Sequence, residues 1–389
     1  MAALARVSVL NLAGRQLAVV DGDATTTVRE VKDAVAANGG PGWPLQRLTW
    51  EARALEDAET FGDLAWSGEI TVHMITKDLD VDGLLQKLAE NASPAAAASA
   101  PRWNPCPKDI EKLCEVAADV FMAESPILHV SPPVVVCGSI SGYFFQLMRV
   151  FEKFGNPSQA KYVFLGNYVD RGPQSIETIM TLLLYKCQYP SRVILLRGKH
   201  ECLSINRIYG FYDEVRRRYT PKLWKRFQDV WNVMPFCALV QNRILCVSSG
   251  LSLDLQTRGS LEKIQRIVRP TDVPDFGVLY DLIWGEPRSD VKGFPDDPRA
   301  GPCFGPDVVE PFLQEHGLDM ICRTGLVEDG HEFFAGTRLV TIVSHVVDEF
   351  ANAATVMTLD EDLKPSFVMM DERGGVGPDQ NAAVETRAP

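Results

Sequence analysis

The chain has 389 residues, of which 46% are hydrophobic and 23% are charged, and this composition excludes a disordered or fibrous protein. Its 39 basic and 51 acidic residues give a formal net charge of -12, which disfavours binding to nucleic acid or to an anionic membrane surface. The nine cysteines show no Cys-x-x-Cys pairing, the first residues do not form the apolar h-region that a secretory leader needs, and no apolar run reaches roughly 18 residues. We therefore expect a cytosolic or nuclear protein with reduced thiols.

The first 75 residues contain a hairpin pattern followed by a helix pattern. Two runs of β-type residues, 6–12 and 16–20, flank a short turn and predict a hairpin. Valines spaced three and four residues apart predict a helix over 28–35, which the threonines at 25–27 can cap. Strand-like runs follow at 47–50 and 69–75. The segment is therefore predicted to be one small α+β unit.

This segment resembles ubiquitin in the order and spacing of its motifs over residues 5–76. The matching motifs are Leu12-Ala13-Gly14-Arg15, the helix Val28 to Val35, Gln46-Arg47-Leu48, Ala54-Leu55-Glu56-Asp57 and Val72-His73. The resemblance implies a ubiquitin-like β-grasp domain over residues 1–77, fused rather than conjugated because no Gly-Gly end follows. It places ubiquitin's apolar recognition patch at Leu12, Thr49, His73 and Ile75. A module bound by ubiquitin receptors and a folding or solubility unit without a receptor both remain open.

Strand and helix patterns alternate through the rest of the chain. A short amphipathic helix is predicted at 79–90, and the low-complexity segment 91–105 is expected to be a flexible loop. Short buried-strand runs occur at 134–137, 162–165, 192–196 and 243–247. The clearest helix pattern lies at 176–184, so an α/β architecture is predicted. The tail 371–389, rich in Gly, Pro and charge, is expected to be disordered.

Polar motifs follow the predicted strands, where sites form in α/β folds. These are Gly138-Ser139-Ile140-Ser141-Gly142, Gly166-Asn167-Tyr168-Val169-Asp170-Arg171-Gly172, Gly198-Lys199-His200-Glu201 and Ser248-Ser249-Gly250. In this order the set strongly resembles the PPP family of serine/threonine phosphoprotein phosphatases, on its protein phosphatase 1 branch. The resemblance implies an α/β calcineurin-like metallophosphatase β-sandwich flanked by helices over residues 78–370.

The resemblance also exposes a departure at every metal-ligand position. The family holds two divalent ions such as Mn, Fe or Zn with Asp, His and Asn side chains. At the six corresponding positions this chain has Ser139, Ser141, Asn167, Lys199, Ser248 and Gly325. Hard divalent cations need anionic or strongly donating ligands, and an ammonium aimed into the site repels them. No metal cofactor is therefore expected.

Other family residues are retained. His200 and Asp170 match the family's general acid and its orienting carboxylate, and Arg171 and Arg299 match two phosphate-binding arginines. Without a metal-activated water, an acid can protonate a leaving group but no nucleophile is supplied. Plainer interpretations also stand: a buried histidine with no present task, arginines that pair with nearby acids, and a Lys199 side chain that turns outward to solvent.

The resemblance to the phosphatase family also implies a groove, remote from the metal positions, that docks short extended peptides. The five matching positions are Ile244, Met320, Phe333, Leu363 and Phe367, and all are apolar. Apolar residues on strands are usually core, so a purely structural role is the alternative. Pro365 would also remove a backbone N–H from a strand that a peptide might extend.

Three functions follow from these observations. The leading hypothesis is a catalytically inactive phosphatase-fold protein, a pseudophosphatase, that binds phosphoproteins or docking-motif peptides. The first alternative is an active metal-dependent phosphoserine/phosphothreonine phosphatase with substituted ligands. The second is an adaptor that uses its ubiquitin-like domain to reach ubiquitin receptors or the proteasome.

Overall fold

The computed structural model describes residues 4–51, 53–76, 79–92, 103–295, 301–347 and 352–370. Most of the predicted loop at 91–105, the predicted tail 371–389 and Arg299 lie outside the described residues. The chain divides into two compact units, one formed by Met1–Leu84 with Cys187–Pro190 and the other by Leu85–Lys186 with Ser191–Pro389.

The N-terminal unit contains a five-stranded mixed sheet and one long helix. Its elements are β1 (Ala5–Asn11), β2 (Gln16–Gly22), α1 (Val28–Ala37), β3 (Gln46–Trp50), β4 (Arg53–Ala54) and β5 (Gly68–Thr76). The strand order is β2-β1-β5-β3-β4, with β1 antiparallel to β2 and parallel to β5. Val28, Val31 and Val35 are buried in the core beneath this sheet. The predicted hairpin, helix and two later strands are all observed.

The start of α1 shows why the helix begins where it does. The Oγ1 of Thr27 accepts a hydrogen bond from the backbone N–H of Glu30 at 3.2 Å, and a Glu30 carboxylate oxygen accepts the N–H of Thr27 at 2.6 Å. This reciprocal capping box satisfies two backbone donors that would otherwise lack partners. Of the three candidate threonines, Thr27 is therefore the cap.

Beyond residue 80, helices and strands alternate. The helices are α2 (Val81–Glu90), α3 (Pro107–Ala123), α4 (Phe144–Phe154), α5 (Ser175–Gln188), α6 (Leu203–Asn206), α7 (Phe211–Arg218), α8 (Pro221–Trp231), α9 (Glu262–Gln265), α10 (Val278–Trp284) and α11 (Val309–His316). The strands are β6 (Ile127–Val130), β7 (Val134–Cys137), β8 (Tyr162–Phe164), β9 (Val193–Leu195), β10 (Cys237–Val240), β11 (Ile244–Val247), β12 (Glu286–Pro287), β13 (Cys303–Phe304), β14 (Met320–Thr324), β15 (His331–Phe334), β16 (Leu339–Ile342), β17 (Thr355–Leu359) and β18 (Pro365–Met369). Within the described chain no helix is both long and apolar enough to cross a bilayer.

Two sheets form the centre of the larger unit. One has the order β18-β17-β7-β8-β9 and the other has the order β15-β16-β14-β11-β10-β6. Buried residues of both sheets, among them Val136, Val163, Cys246 and Val340, belong to one apolar cluster, so the sheets pack face to face as a sandwich. The four predicted buried strands correspond to β7, β8, β9 and β11, whose apolar runs have no alternation because they are buried on both faces.

Candidate functional site

The loops that follow β7, β8, β11 and β14 meet at one edge of the sandwich. The N–H of Ser141 donates to the carbonyl of Asn167 at 2.8 Å, which joins the loops after β7 and β8. The N–H of Ser139 donates to Thr324 Oγ1 at 2.7 Å, and the N–H of Thr324 donates to the carbonyl of Ser248 at 3.1 Å. The fold therefore brings together the positions that the sequence assigned to one site.

Two glycines allow the loops after β8 and β9 to approach each other. A Cβ on Gly198 would lie 2.5 Å from the backbone nitrogen of Asn167, which is far inside van der Waals contact. Gly166 has a φ of 106°, and a Cβ there would lie 2.7 Å from the Cα of Gly198. Any larger residue at either position would separate the two loops.

A buried carboxylate also ties these loops together. Glu201 is fully buried and accepts the N–H groups of Asn167 at 2.8 Å, Tyr168 at 2.8 Å and Gly198 at 3.0 Å. Burial raises the pKa of this carboxyl group, although the three N–H donors and the neighbouring His200 oppose the rise. Glu201 is thus a structural acceptor for backbone donors that would otherwise be unsatisfied.

Backbone strain is concentrated in the same loops. Ser141, Asn167, Asp170 and Arg171 have φ values of 48°, 60°, 72° and 58°, in the left-handed region that side-chain-bearing residues rarely adopt. Each such residue costs of order 1 kcal/mol and persists only where the surroundings fix it. The concentration of strain in these loops is typical of a functional site.

The two residues predicted to form an acid pair are in contact. The Nδ1 of His200 lies 2.7 Å from an Asp170 carboxylate oxygen, and the other Asp170 oxygen accepts the N–H of Phe211 at 2.8 Å. Asp170 is fully buried and the His200 side chain is 12% exposed. The carboxylate fixes the proton on Nδ1, so the second imidazole nitrogen is left for other contacts.

Arg171 lies beside this pair with its side chain exposed. Both oxygens of Asp170 are already bonded, and those of Glu201 accept backbone N–H groups, so neither acid pairs with this arginine. In the described part of the chain its guanidinium has no hydrogen-bond or ion-pair partner. A free, exposed guanidinium at the site favours the anion-binding interpretation over structural pairing.

Lys199 is held by an acid that sequence reasoning missed. Its ammonium bonds to one carboxylate oxygen of Glu286, and the other oxygen accepts a hydrogen bond from Arg323 Nη2 at 2.7 Å. Desolvation lowers the pKa of Lys199 and that of Arg323, while the attraction of both cations outweighs desolvation and lowers the pKa of Glu286. The lysine thus neither stands alone in the cavity nor turns out to solvent.

The side chains at the six predicted metal positions do not fit a divalent metal ion. Ser139 and Ser141 present neutral, buried hydroxyl groups, Gly325 has no side chain, and Lys199 is a cation. The buried Oγ of Ser248 has no hydrogen-bond partner in the described structure. Across the described ranges, no cluster of three or more His, Cys, Asp or Glu residues is placed to hold a metal. Divalent ions require several anionic or imidazole donors, which this arrangement lacks.

His345 lies at this site in the loop that follows β16. Its Nδ1 lies 2.8 Å from the carbonyl of Ser139 and must donate to it, so the neutral Nε2 is an acceptor. This buried Nε2 has no partner among the described residues, and the ring stacks on Tyr143 with centroids 5.0 Å apart. Desolvation, together with the charges of Arg171 and His200, lowers the pKa of His345 to about 4.

This low pKa predicts a stability loss in acid. The folded chain keeps His345 neutral, whereas in the unfolded chain the imidazole titrates near its ordinary value of 6.5. Because the unfolded state binds the extra proton, the free energy of unfolding should fall by about 3 kcal/mol between pH 6.5 and about 4 and level off below that range. Urea unfolding across this range should show a shallower pH dependence for His345→Gln than for wild type. Equal slopes would contradict the prediction.

The five predicted docking positions lie in and around one apolar cluster between the two sheets. Ile244 and Met320 are buried in it, whereas Phe333, Leu363 and Phe367 are half-buried and pack against it. The rings of Phe333 on β15 and Phe367 on β18 meet edge to face with centroids 5.5 Å apart. Both strands are sheet edges. Two of the five positions are therefore core residues, whereas the rings of Phe333 and Phe367 remain partly accessible at the sheet edges.

Comparison with known proteins identifies similar folds. A sequence model of the calcineurin-like phosphoesterase family matches residues 132–327, a range that includes all six predicted metal positions. Among solved structures, the chain is similar to a protein serine/threonine phosphatase from Saccharomyces cerevisiae that is described as similar to human phosphatase PP5. That match is 27% identical, has a TM-score of 0.64, and covers 70% of this chain and 88% of the yeast chain.

Proposed function

Since this chain belongs to the calcineurin-like phosphoesterase family and has a serine/threonine phosphatase fold, we propose that it is a pseudophosphatase, an inactive phosphatase-fold protein that binds phosphoproteins or docking peptides. We further propose that it works without a metal cofactor, in the cytosol or nucleus. Buried thiols such as those of Cys137, Cys202 and Cys237 support a reducing compartment.

The observation that carries this proposal is the chemistry of the donor set in the site. Hydrolysis by this family needs a metal-activated water, as the resemblance implies, and the side chains at the six positions supply hydroxyl, amide and ammonium groups instead. The acid pair His200 and Asp170 is in contact, yet an acid alone provides no nucleophile. Recognition without turnover is the function that these groups support best.

Incubation of the purified chain with manganese and a phosphoserine peptide tests the proposal. We expect no phosphate release above that of the peptide alone, and no change on substitution of Lys199→Ala or His200→Ala. Metal-dependent release that either substitution abolishes would establish the alternative, an active phosphatase with substituted ligands.

Two further surfaces belong to the proposed scaffold. The half-buried rings of Phe333 and Phe367 support docking of an extended apolar peptide at the sandwich edge.

For the N-terminal unit we propose a ubiquitin-like β-grasp domain, supported by its strand order and by Leu12, whose surface is 75% exposed. If ubiquitin receptors bind there, Leu12→Ala should lose receptor capture and Leu4→Ala, at a residue 73% exposed, should retain it. If both variants captured receptors equally well, receptor binding at Leu12 would be contradicted.

A further inference from the structure

The bridge between Lys199, Glu286 and Arg323 places its carboxylate nearest to solvent. The Glu286 side chain is 44% exposed, whereas those of Lys199 and Arg323 are 22% and 5% exposed. The two cations are therefore the deeper partners, and the shared carboxylate lies on their outer side. A solvent-borne anion would meet these cations where Glu286 now sits.

The cations and hydrogen-bond donors at this bridge exceed the acceptors that they meet. Two cations contact one carboxylate, and Glu332 attracts Arg323 without forming an ion pair, so the positive charge at the bridge is only partly balanced. The buried Nε of Arg323 also has no hydrogen-bond partner in the described structure. An unused buried donor favours a ligand with several acceptor oxygens.

The charge balance selects among possible anions. A carboxylate from a partner carries one negative charge, so it would only replace Glu286 by an equal group. A phosphate monoester carries up to two negative charges at neutral pH and three acceptor oxygens, so it would balance more of the positive charge and could also bond the unused N–H of Arg323. The site is therefore better matched to a phosphate monoester than to an acidic side chain.

Resting on the function proposed above, we infer that Glu286 is a resident competitor for the phosphoryl group of a phosphorylated partner. The carboxylate occupies the anion position between Lys199 and Arg323, and a phosphate monoester dianion displaces it without a metal ion. Because an incoming anion must displace the Glu286 carboxylate, Glu286 weakens the binding of every anion at this position. Doubly charged ligands are therefore favoured over carboxylates. No bond is made or broken in this exchange.

Phosphate titration of the full chain in the presence of EDTA tests this inference, with inorganic phosphate and a phosphoserine peptide as separate probes. We expect Glu286→Gln to bind both probes at least about tenfold more tightly than wild type, a gain of about 1.4 kcal/mol. Lys199→Met should lose binding. Glu310→Gln is the matched control, because Glu310 also pairs with an arginine and its side chain is likewise 44% exposed. It should bind as wild type does.

A second variant covers the case in which Glu286→Gln does not fold. Glu286→Asp keeps the charge but shortens the reach to both cations, and it should give an intermediate gain in affinity. Phosphate should also raise the thermal midpoint of each folded Glu286 variant more than that of wild type.

Unchanged affinity in both Glu286 variants, or undiminished binding by Lys199→Met, would overturn the inference and leave the inactive assignment intact. If Glu286→Gln bound inorganic phosphate more tightly than wild type but did not bind the phosphoserine peptide more tightly, free phosphate would be the ligand. That result would overturn the inference of a phosphorylated partner. Metal-dependent turnover by wild type is the separate result that would overturn the proposed function.

Discussion

Divalent metal binding is expected to appear when all six degenerate positions receive the ligands of the family, whereas the wild-type chain is expected to bind none. The six substitutions are S139D, S141H, N167D, K199N, S248H and G325H. They add two carboxylates and three imidazoles and remove one ammonium, so the charge of the site falls by three units and the donors become those that Mn²⁺ and Zn²⁺ accept. Elemental analysis after dialysis should find close to no metal in wild type and about two ions per variant chain.

Lys199→Asn alone is the control for this experiment. It removes the ammonium and leaves Glu286 paired with Arg323, but two amides, that of Asn167 and the new one, with neutral hydroxyl neighbours are an insufficient ligand set. Calorimetric titration with manganese should therefore show no binding by the single variant. Stoichiometric manganese in wild type or in the single variant would show that hydroxyl and amide groups suffice to hold the ion, contrary to this prediction.

Crowding at Gly325 decides how easily the sixth ligand can be introduced. A Cβ there would lie 2.9 Å from Thr341 Cγ2 and 3.3 Å from Arg323 Nη2, so the neighbouring side chains must shift. The thermal midpoint of the six-substituted chain should be compared with that of a five-substituted chain that keeps Gly325. If only the six-substituted chain had a lower thermal midpoint than wild type, the strain would lie at position 325.

Local patterns in the sequence predicted the elements of the N-terminal sheet and helix, and β7, β8, β9 and β11 of the larger unit. β7 matches its predicted run Val134–Cys137 because four consecutive apolar residues are buried on both faces of the sheet. The helix at Val28–Ala37 followed from valine spacing, and its cap is Thr27 because Glu30 stands three residues further on. These features depend on residues within a few positions of one another, which is the range that pattern reasoning covers well.

The pairing of Lys199 could not be predicted in the same way. Glu286 is 87 residues away in the chain, on a short strand with no motif that marks it. The sequence predicted an ammonium in the cavity or in solvent, but only the fold reveals the acid that neutralises it. A charge-balance argument was the available signal, because a lysine and Arg323 at one site require a nearby acid. The bonding of His345 to Ser139 is equally a product of tertiary packing.

Removal of the Glu201 carboxylate is expected to cost about 4 kcal/mol of unfolding free energy, among the largest effects of a single substitution in this site. Glu201→Ala leaves the N–H groups of Asn167, Tyr168 and Gly198 without their acceptor. Each unsatisfied buried donor costs about 1–3 kcal/mol, and the three losses overlap because water can enter the space left by the side chain. Urea unfolding followed by circular dichroism measures the change.

Graded variants separate hydrogen bonding from simple loss of packing. Glu201→Gln keeps nearly the same volume, but its single oxygen can face either Tyr168 or the other two N–H groups, and its NH₂ opposes the donors that remain. Glu201→Gln should therefore lose a substantial part of the unfolding free energy that Glu201→Ala loses, although it removes little volume. The control Glu310→Ala, at an exposed carboxylate, should stay within about 0.5 kcal/mol of wild type. If Glu201→Gln were as stable as wild type while Glu201→Ala was not, packing rather than the three N–H bonds would hold these loops together.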